Sequence, residues 1–317
     1  MGQVEIRPFA AVLGAEVRCG DVRHLGNQSF EPIYQAWLDH LVLLFRDQHL
    51  SDRELLDFAR RFGELKDASI PGEGQRPRNK DMPELNVLSN VLDEHGVPIG
   101  GLGYGEVVWH TDNSYNEKPN KANILYALEI PSTGGNTWFS NQYLACELMD
   151  EKLRARVQGL TIKNDASYNS AGKLRGGYSP VTDPRAAPGP SHPVIRTHNE
   201  TGYNALYLGR RPNAYVNGLA LEESEELLNT LWEYATQPRF TWGHEWRVGD
   251  ILVWDNRCLL HRRDSFDATQ RRIIHRTQCK GDPVQEVPGA AAKPPHPRGY
   301  GFLAATTADS TASRGAS

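Results

Sequence analysis

Seven short runs rich in branched and aromatic residues limit what this chain can fold into. They are "LVLLF" at 41–45, "NILYALEI" at 123–130, "NTWFSN" at 136–141, "PVIRTH" at 193–198, "ALYLG" at 205–209, "DILVWDN" at 250–256 and "RRIIHRTQ" at 271–278. Each has the length and composition of a β-strand, and turn-forming residues separate them. Helical patterns are fewer. In "SDRELLDFARRFGEL", Ser51 and Glu54 form a capping box, Leu55, Phe58, Ala59 and Phe62 share one face, and Gly63 ends the pattern. Residues 30–40, 142–158 and the stretch from Glu222 also read as helices. Strands and helices do not alternate as a doubly wound sheet requires, and no G-x-G-x-x-G or G-x-x-x-x-G-K motif occurs. The expected fold class is mainly β with flanking helices, an antiparallel sandwich or barrel.

Composition narrows the function. A formal net charge of -4, from 35 Lys+Arg against 39 Asp+Glu, gives no basic field for nucleic acid and no basic helix for a membrane surface. No apolar run approaches the ~18 residues of a membrane span, and the first residues lack the pattern of an export signal. Cys19, Cys146, Cys258 and Cys279 form no C-x-x-C pair, as expected of a reduced, cytoplasmic protein. The expected partner is a small molecule. Two stretches, 70–83 and 175–193, are heavy in Gly, Pro and charge and read as long loops. After Pro283 the composition shifts to Ala, Pro, Ser and Gly. A single domain over 1–283 and a disordered tail over 284–317 are therefore expected.

"WHTDNS" places His110 two residues before Asp112. In a strand these side chains leave the same face, so an imidazole and a carboxylate can meet one ion; in a polar turn the same pair means nothing. A third ligand would decide, and "VWDNRCLLHRRD" offers His261. Eleven residues on lies Arg272, then Arg276 after four more. Even spacing puts Arg272, Ile274 and Arg276 on one face and Ile273, His275 and Thr277 on the other. Two arginines on one face either bind anions or decorate an exposed surface. His275, on the far side, reads as a structural histidine, and Trp138 and Trp254 as core or wall aromatics.

Trp109-His110-Thr111-Asp112, then "PSTGGNTWFSN" with Thr137, then "WDNR" before His261, then "QRRIIHRT", is similar in order and spacing to one family. It is the taurine dioxygenase and 2,4-dichlorophenoxyacetate dioxygenase family of Fe(II)- and 2-oxoglutarate-dependent oxygenases. The resemblance runs from "PFAAVLGAEV" to "HRTQCKGD". It implies a double-stranded β-helix, that is, a distorted jelly roll, assembled as a homo-oligomer. By the same resemblance His110, Asp112 and His261 bind Fe(II), Thr137 and Arg272 hold the distal carboxylate of 2-oxoglutarate, and Arg276 meets an anionic substrate. The implied reaction consumes O2, converts 2-oxoglutarate to succinate and CO2, and hydroxylates the substrate. A carboxylate at Asp112 implies hydroxylation, since halogenating relatives carry a small residue there.

The family's substrates include sulfonates, sulfate esters and aryloxyalkanoates. Where taurine enzymes carry a histidine, a tyrosine and an amide, this chain has Ala68, Pro71 and Glu106, so a larger or differently shaped anion is expected. Arg210 and Arg211 in "LYLGRRPNAY" are candidates to add positive charge near it. Two rival readings keep the same three ligands: a zinc-dependent hydrolase, and a non-catalytic jelly-roll binding module. The hydrolase has no need of Arg272, and an intact triad together with both arginines argues against the module.

Overall fold

The computed structural model describes residues 4–68, 81–105, 107–169 and 172–287. Its largest element is an eight-stranded sheet, ordered Glu5–Pro8, Ala15–Arg18, Val42–Phe45, Ile251–Asp255, Ala122–Glu129, Ile273–Cys279, Asn86–Ser89 and Gly101–Leu102. Neighbours are antiparallel except Ala15–Arg18 with Val42–Phe45 and Asn86–Ser89 with Gly101–Leu102. A four-stranded antiparallel sheet, ordered Thr241–His244, Thr137–Asn141, Leu259–Arg263 and Val107–His110, packs on one side of it.

The strand Ile251–Asp255 shows why layers form on both faces, because every residue in it is buried. Leu252 and Trp254 enter the core between the sheets, beside Leu125, Phe139 and Ile274. Ile251 and Val253 point the other way, into a cluster with Trp37, Phe58 and Phe62 under the helices Asn27–His40 and Asp52–Ala59. A strand covered on both faces reads as a continuous apolar run, so this one stood out in the sequence.

The capping box at Ser51 forms as expected, with Ser51 Oγ accepting from the Glu54 backbone and Glu54 accepting from the Ser51 backbone. The helix ends at Ala59, and a 3-10 turn, Arg60–Phe62, carries the apolar face one step further. The helix expected over 142–158 is two, Gln142–Glu147 and Glu151–Val157. Asp150 divides them: it is extended, and its side chain accepts from Leu153 N, so it starts a new helix rather than continuing the old one.

Of the two expected loops, residues 69–80 lie outside the described residues. The other contains the turn Pro184–Ala186 and the short strand Ser191–Pro193, which pairs with Thr161–Lys163. The start of the tail differs from expectation. Gln285 O accepts from Thr197 N and Val287 N donates to Thr197 Oγ1, so the chain is held beside the strand Ile195–Thr197 as far as Val287. Backbone pairing overrides a composition that favours disorder. Residues 288–317 lie outside the described residues. All four cysteines are free, and among the described residues no helix is long and apolar enough to cross a membrane.

Candidate metal centre and the cavity beside it

His110 is the last residue of Val107–His110, and its direct cross-strand partner is His261 in Leu259–Arg263. The two rings lie 4.2 Å apart between centroids. Asp112 reaches them differently from the strand geometry expected. The strand stops at His110, and Asp112 presents its carboxylate from the start of a turn that continues through Asn113, at φ 57. Asn tolerates this left-handed conformation better than most residues.

His110 Nε2 lies 3.3 Å from Asp112 Oδ1, and His261 Nε2 lies 3.8 Å from Asp112 Oδ2. Cis ligands bound at ~2.1 Å to an octahedral ion sit ~3 Å apart, and both separations are within about an ångström of that. All three residues are buried, and their ligand atoms lie within 4.8 Å of one another. Two imidazole nitrogens and one carboxylate oxygen on one side suit a divalent transition metal with its other positions open to the cavity.

Protonation favours this use. His110 Nδ1 sits 2.8 Å from Val108 O, which fixes the proton there and leaves the Nε2 lone pair facing Asp112. Burial, helped by His110, Arg276 and Arg210 and opposed by Asp112, pulls His261 down to about 3, so its ring is neutral. Burial pushes the other way on Asp112. Its surroundings, among them the Arg276 guanidinium, outweigh burial and hold the carboxyl well below the usual range.

Two supporting residues escaped the sequence reading. Asn256 clamps the backbone of Asp112, with Oδ1 accepting from Asp112 N at 3.1 Å and Nδ2 donating to Asp112 O at 2.9 Å. Gln278 Nε2 donates to Asp112 Oδ2 at 3.2 Å. The signal for Gln278 was present, since it extends the even-numbered face of Ile274 and Arg276. Asn256 gave only its place in "WDNR".

Next to the ligands, a cavity opens between the sheets. Val107, Thr137 and Arg263 line it from the small sheet; Leu88, Leu125, Trp254 and Arg276 line it from the large one, with Arg272 just before its last long strand. Arg272 is 2% exposed, with its backbone N held by Asn90 Oδ1 at 3.0 Å. Its Nη2 reaches Gly135 O at a long 3.4 Å, and its Nε has no hydrogen-bond partner among the described residues. Gly135, at φ +65, lets the backbone close over this guanidinium, because a Cβ there would sit 3.2 Å from Nε. Burial, then the charge of Arg263, pulls Arg272 down to about 9. Among the described residues no carboxylate pairs with this buried cation.

Thr137, also buried, accepts from Trp246 Nε1 at 3.0 Å, so its own hydroxyl proton remains to be donated. Arg276 Nη1 lies 3.7 Å from Asp112 Oδ2. His275 points to the opposite face and meets Asp52 Oδ1 at 2.7 Å, the structural role expected of it. Trp254 forms a wall, with its ring 4.9 Å from that of His261. Trp138 lies on the outer side, under Arg262 and bonded to Asp264.

The two loop arginines separate. Arg210 is buried, bridges to the backbone of His110, and places Cζ 4.8 Å from the centre of the Tyr115 ring. Arg211 turns away to Glu225 and Asn229. Ala68 N donates to Pro83 O; Pro71 and Glu106 lie outside the described residues. His192, His198 and His244 serve core hydrogen bonds, the last two to Asp255 and Asp250.

Known proteins share this arrangement's sequence. Residues 5–278 match the family described as "Taurine catabolism dioxygenase TauD, TfdA family". An (S)-phenoxypropionate/alpha-ketoglutarate-dioxygenase of Sphingobium herbicidovorans is 35% identical over 289 residues, covering 89% of this chain and 96% of its own. An alpha-ketoglutarate-dependent 2,4-dichlorophenoxyacetate dioxygenase of Cupriavidus pinatubonensis is 32% identical, covering 89% and 99%. Among solved structures, AAD-2 in complex with Mn(II) and N-oxalylglycine superposes with a TM-score of 0.72 at 28% identity, over 90% of this chain and 100% of that one. A taurine dioxygenase from Burkholderia xenovorans gives a TM-score of 0.71 at 29% identity, over 92% and 98%. The chain belongs to the TauD/TfdA family of alpha-ketoglutarate-dependent dioxygenases.

Proposed function

We propose that this enzyme uses Fe(II), 2-oxoglutarate and O2 to hydroxylate a small organic anion, with His110, Asp112 and His261 as the iron ligands. The observation that carries the reading is one cavity holding both a three-ligand cluster and a buried guanidinium, Arg272, that pairs with no carboxylate among the described residues. A zinc hydrolase or a binding module has no use for that second feature. The two sheets are read as the halves of a double-stranded β-helix, with the site between them.

When bound, ferrous iron would supply dioxygen activation coupled to conversion of 2-oxoglutarate to succinate and CO2, with one oxygen atom passing to the substrate. The chain's own groups position the reactants. Arg272 offers a two-pronged grip on the distal carboxylate of 2-oxoglutarate, and Thr137 adds its hydroxyl. Leu88, Leu125, Val107 and Trp254 keep the cavity apolar around them and exclude water. Arg276, beside Asp112, would hold the substrate's anionic group close to the metal.

We infer an anion with an apolar body, and aryloxyalkanoic acids are the leading class. The named activities of the two relatives above support this, and so does Ala68 in place of the taurine pattern's histidine. The test compares an aryloxypropionate, an alkyl sulfate and taurine by succinate formation in the iron-loaded enzyme. Taurine as best substrate by tenfold or more would overturn the substrate class, and no 2-oxoglutarate turnover with any anion would count against the whole proposal.

A further inference from the structure

The cavity carries one more guanidinium than the reading above employs. Arg263 alternates with His261 along Leu259–Arg263, so both side chains leave the same face of that strand. Arg262, between them, takes the outer face and stacks on Trp138 and Trp109. The direct cross-strand partner of Arg263 is Thr137. Partners in register on one face stand side by side, which sets Arg263 next to the hydroxyl read as a cosubstrate contact. Its second neighbour is Arg272. The two guanidinium carbons lie 5.6 Å and 5.8 Å from the centre of one ring, Phe266, and both residues line the cavity. Arg263 is 7% exposed, and its nearness is the second cause, after burial, of the depressed Arg272 pKa.

We propose that Arg263 is a second specificity-determining arginine for the cosubstrate, which with Arg272 and Thr137 makes the deep end of the cavity selective for a 2-oxo acid ending in a carboxylate. The inference rests on the 2-oxoglutarate reading. Both guanidiniums line the deep end, so an anionic chain end there gains charge attraction and charge-assisted hydrogen bonds. A neutral chain end gains neither. The selectivity therefore comes from charge as well as shape, and a single arginine would give less of it. Arg263 Nη2 also donates to Gly105 O, in the loop before the His110 strand. A purely structural role, pinning that loop, is the competing explanation.

The experiment measures binding, not turnover, in the full chain loaded with Mn(II). Calorimetric titration with 2-oxoglutarate is compared with 2-oxopentanoate, which has the same chain length but no distal carboxylate. In Arg263→Met the affinity for 2-oxoglutarate is expected to fall at least tenfold while that for 2-oxopentanoate holds or rises, so the ratio collapses by tenfold or more. Arg263→Lys, which keeps the charge without the planar fork, should fall between, and it serves alone if the methionine variant does not fold. An unchanged ratio in the folded variants, or equal weakening of both ligands, overturns the proposal in favour of the loop-pinning role. Failure of the wild type to bind 2-oxoglutarate would instead remove the reading beneath it.

Discussion

Replacing Arg272 with Met is expected to move two measurements in opposite directions. This guanidinium is 2% exposed, its Nε has no hydrogen-bond partner among the described residues, and its bond to Gly135 O is a long 3.4 Å. Burial, with Arg263 second, pulls its pKa down to about 9. That drop corresponds to roughly 5 kcal/mol against the charged form, an upper bound because buried sites relax. Methionine has comparable length and no charge. Exchanging a buried ion for a packed apolar side chain often gains about 1–4 kcal/mol, so the ligand-free variant should melt at or above the wild-type temperature.

With 2-oxoglutarate the sign reverses. Losing a buried, charge-assisted pair costs about 2–5 kcal/mol, at least roughly thirtyfold in affinity. At a ligand concentration 100 times the wild-type Kd, ligand stabilisation would shrink from about 2.7 kcal/mol to under about 0.9 kcal/mol. Scanning calorimetry of the Mn(II)-loaded protein, with and without 2-oxoglutarate, reads both effects. A ligand-free Tm several degrees below wild type would mean that Arg272 holds the fold. An undiminished ligand-induced rise in Tm would mean that the cosubstrate is anchored elsewhere.

Three further outcomes are expected. Asn256→Ala leaves all three ligands in place but frees the backbone of Asp112, so Mn(II) affinity should drop by about 10–100-fold in a metal titration, and unchanged affinity would remove Asn256 from the site. Asp255→Ala removes the buried carboxylate shared by His198 and Arg257, leaving Arg257 to Glu200 and Asn199, and should cost about 3–5 kcal/mol by urea unfolding. The same carboxyl, held well below its ordinary value, contributes stability that is complete above the ordinary carboxylate range and is lost as pH falls towards the folded value, so Asp255→Ala should flatten the acid limb of the stability curve. Arg276→Ala should lower kcat/KM for anionic substrates by tenfold or more and leave 2-oxoglutarate affinity within about twofold; equal loss for both would merge the two arginines into one function.

How much the sequence disclosed follows from what each residue is buried against. Ile251–Asp255 was legible because both its faces are covered, and Asp52–Ala59 because its capping box is local. Glu5–Pro8 and Thr241–His244 were not, because neither has a fully buried face, and the second exists through pairing with the distant Thr137–Asn141. In the site, His110, Asp112 and His261 stood out by residue type and Arg272 and Arg276 by even spacing. Arg263 shows the same even spacing from His261. Nothing in the sequence distinguishes it from Arg262 beside it; the register with Thr137 and the stacking of Arg262 on Trp138 separate the inward arginine from the outward one.

The cavity's charge leads to one more expectation. Among the described residues lining the cavity, one carboxylate, Asp112, stands with three guanidiniums, Arg263, Arg272 and Arg276, so a divalent cation enters beside several positive charges. A dianionic cosubstrate offsets those charges, and by linkage it must tighten metal binding by the factor by which metal tightens its own binding, typically 5–150-fold. Direct chelation by the 2-oxo acid end would also couple the two, and 2-oxopentanoate shares that end while lacking the distal charge. The Kd for Mn(II), followed by electron paramagnetic resonance, should therefore fall at least fivefold with 2-oxoglutarate and by clearly less with 2-oxopentanoate. In Arg272→Met the metal should bind more tightly without cosubstrate, and the difference between the two acids should shrink. Equal coupling by both acids in the wild type would show that chelation alone joins metal to cosubstrate, and that the buried guanidiniums act on the cosubstrate without reaching the metal.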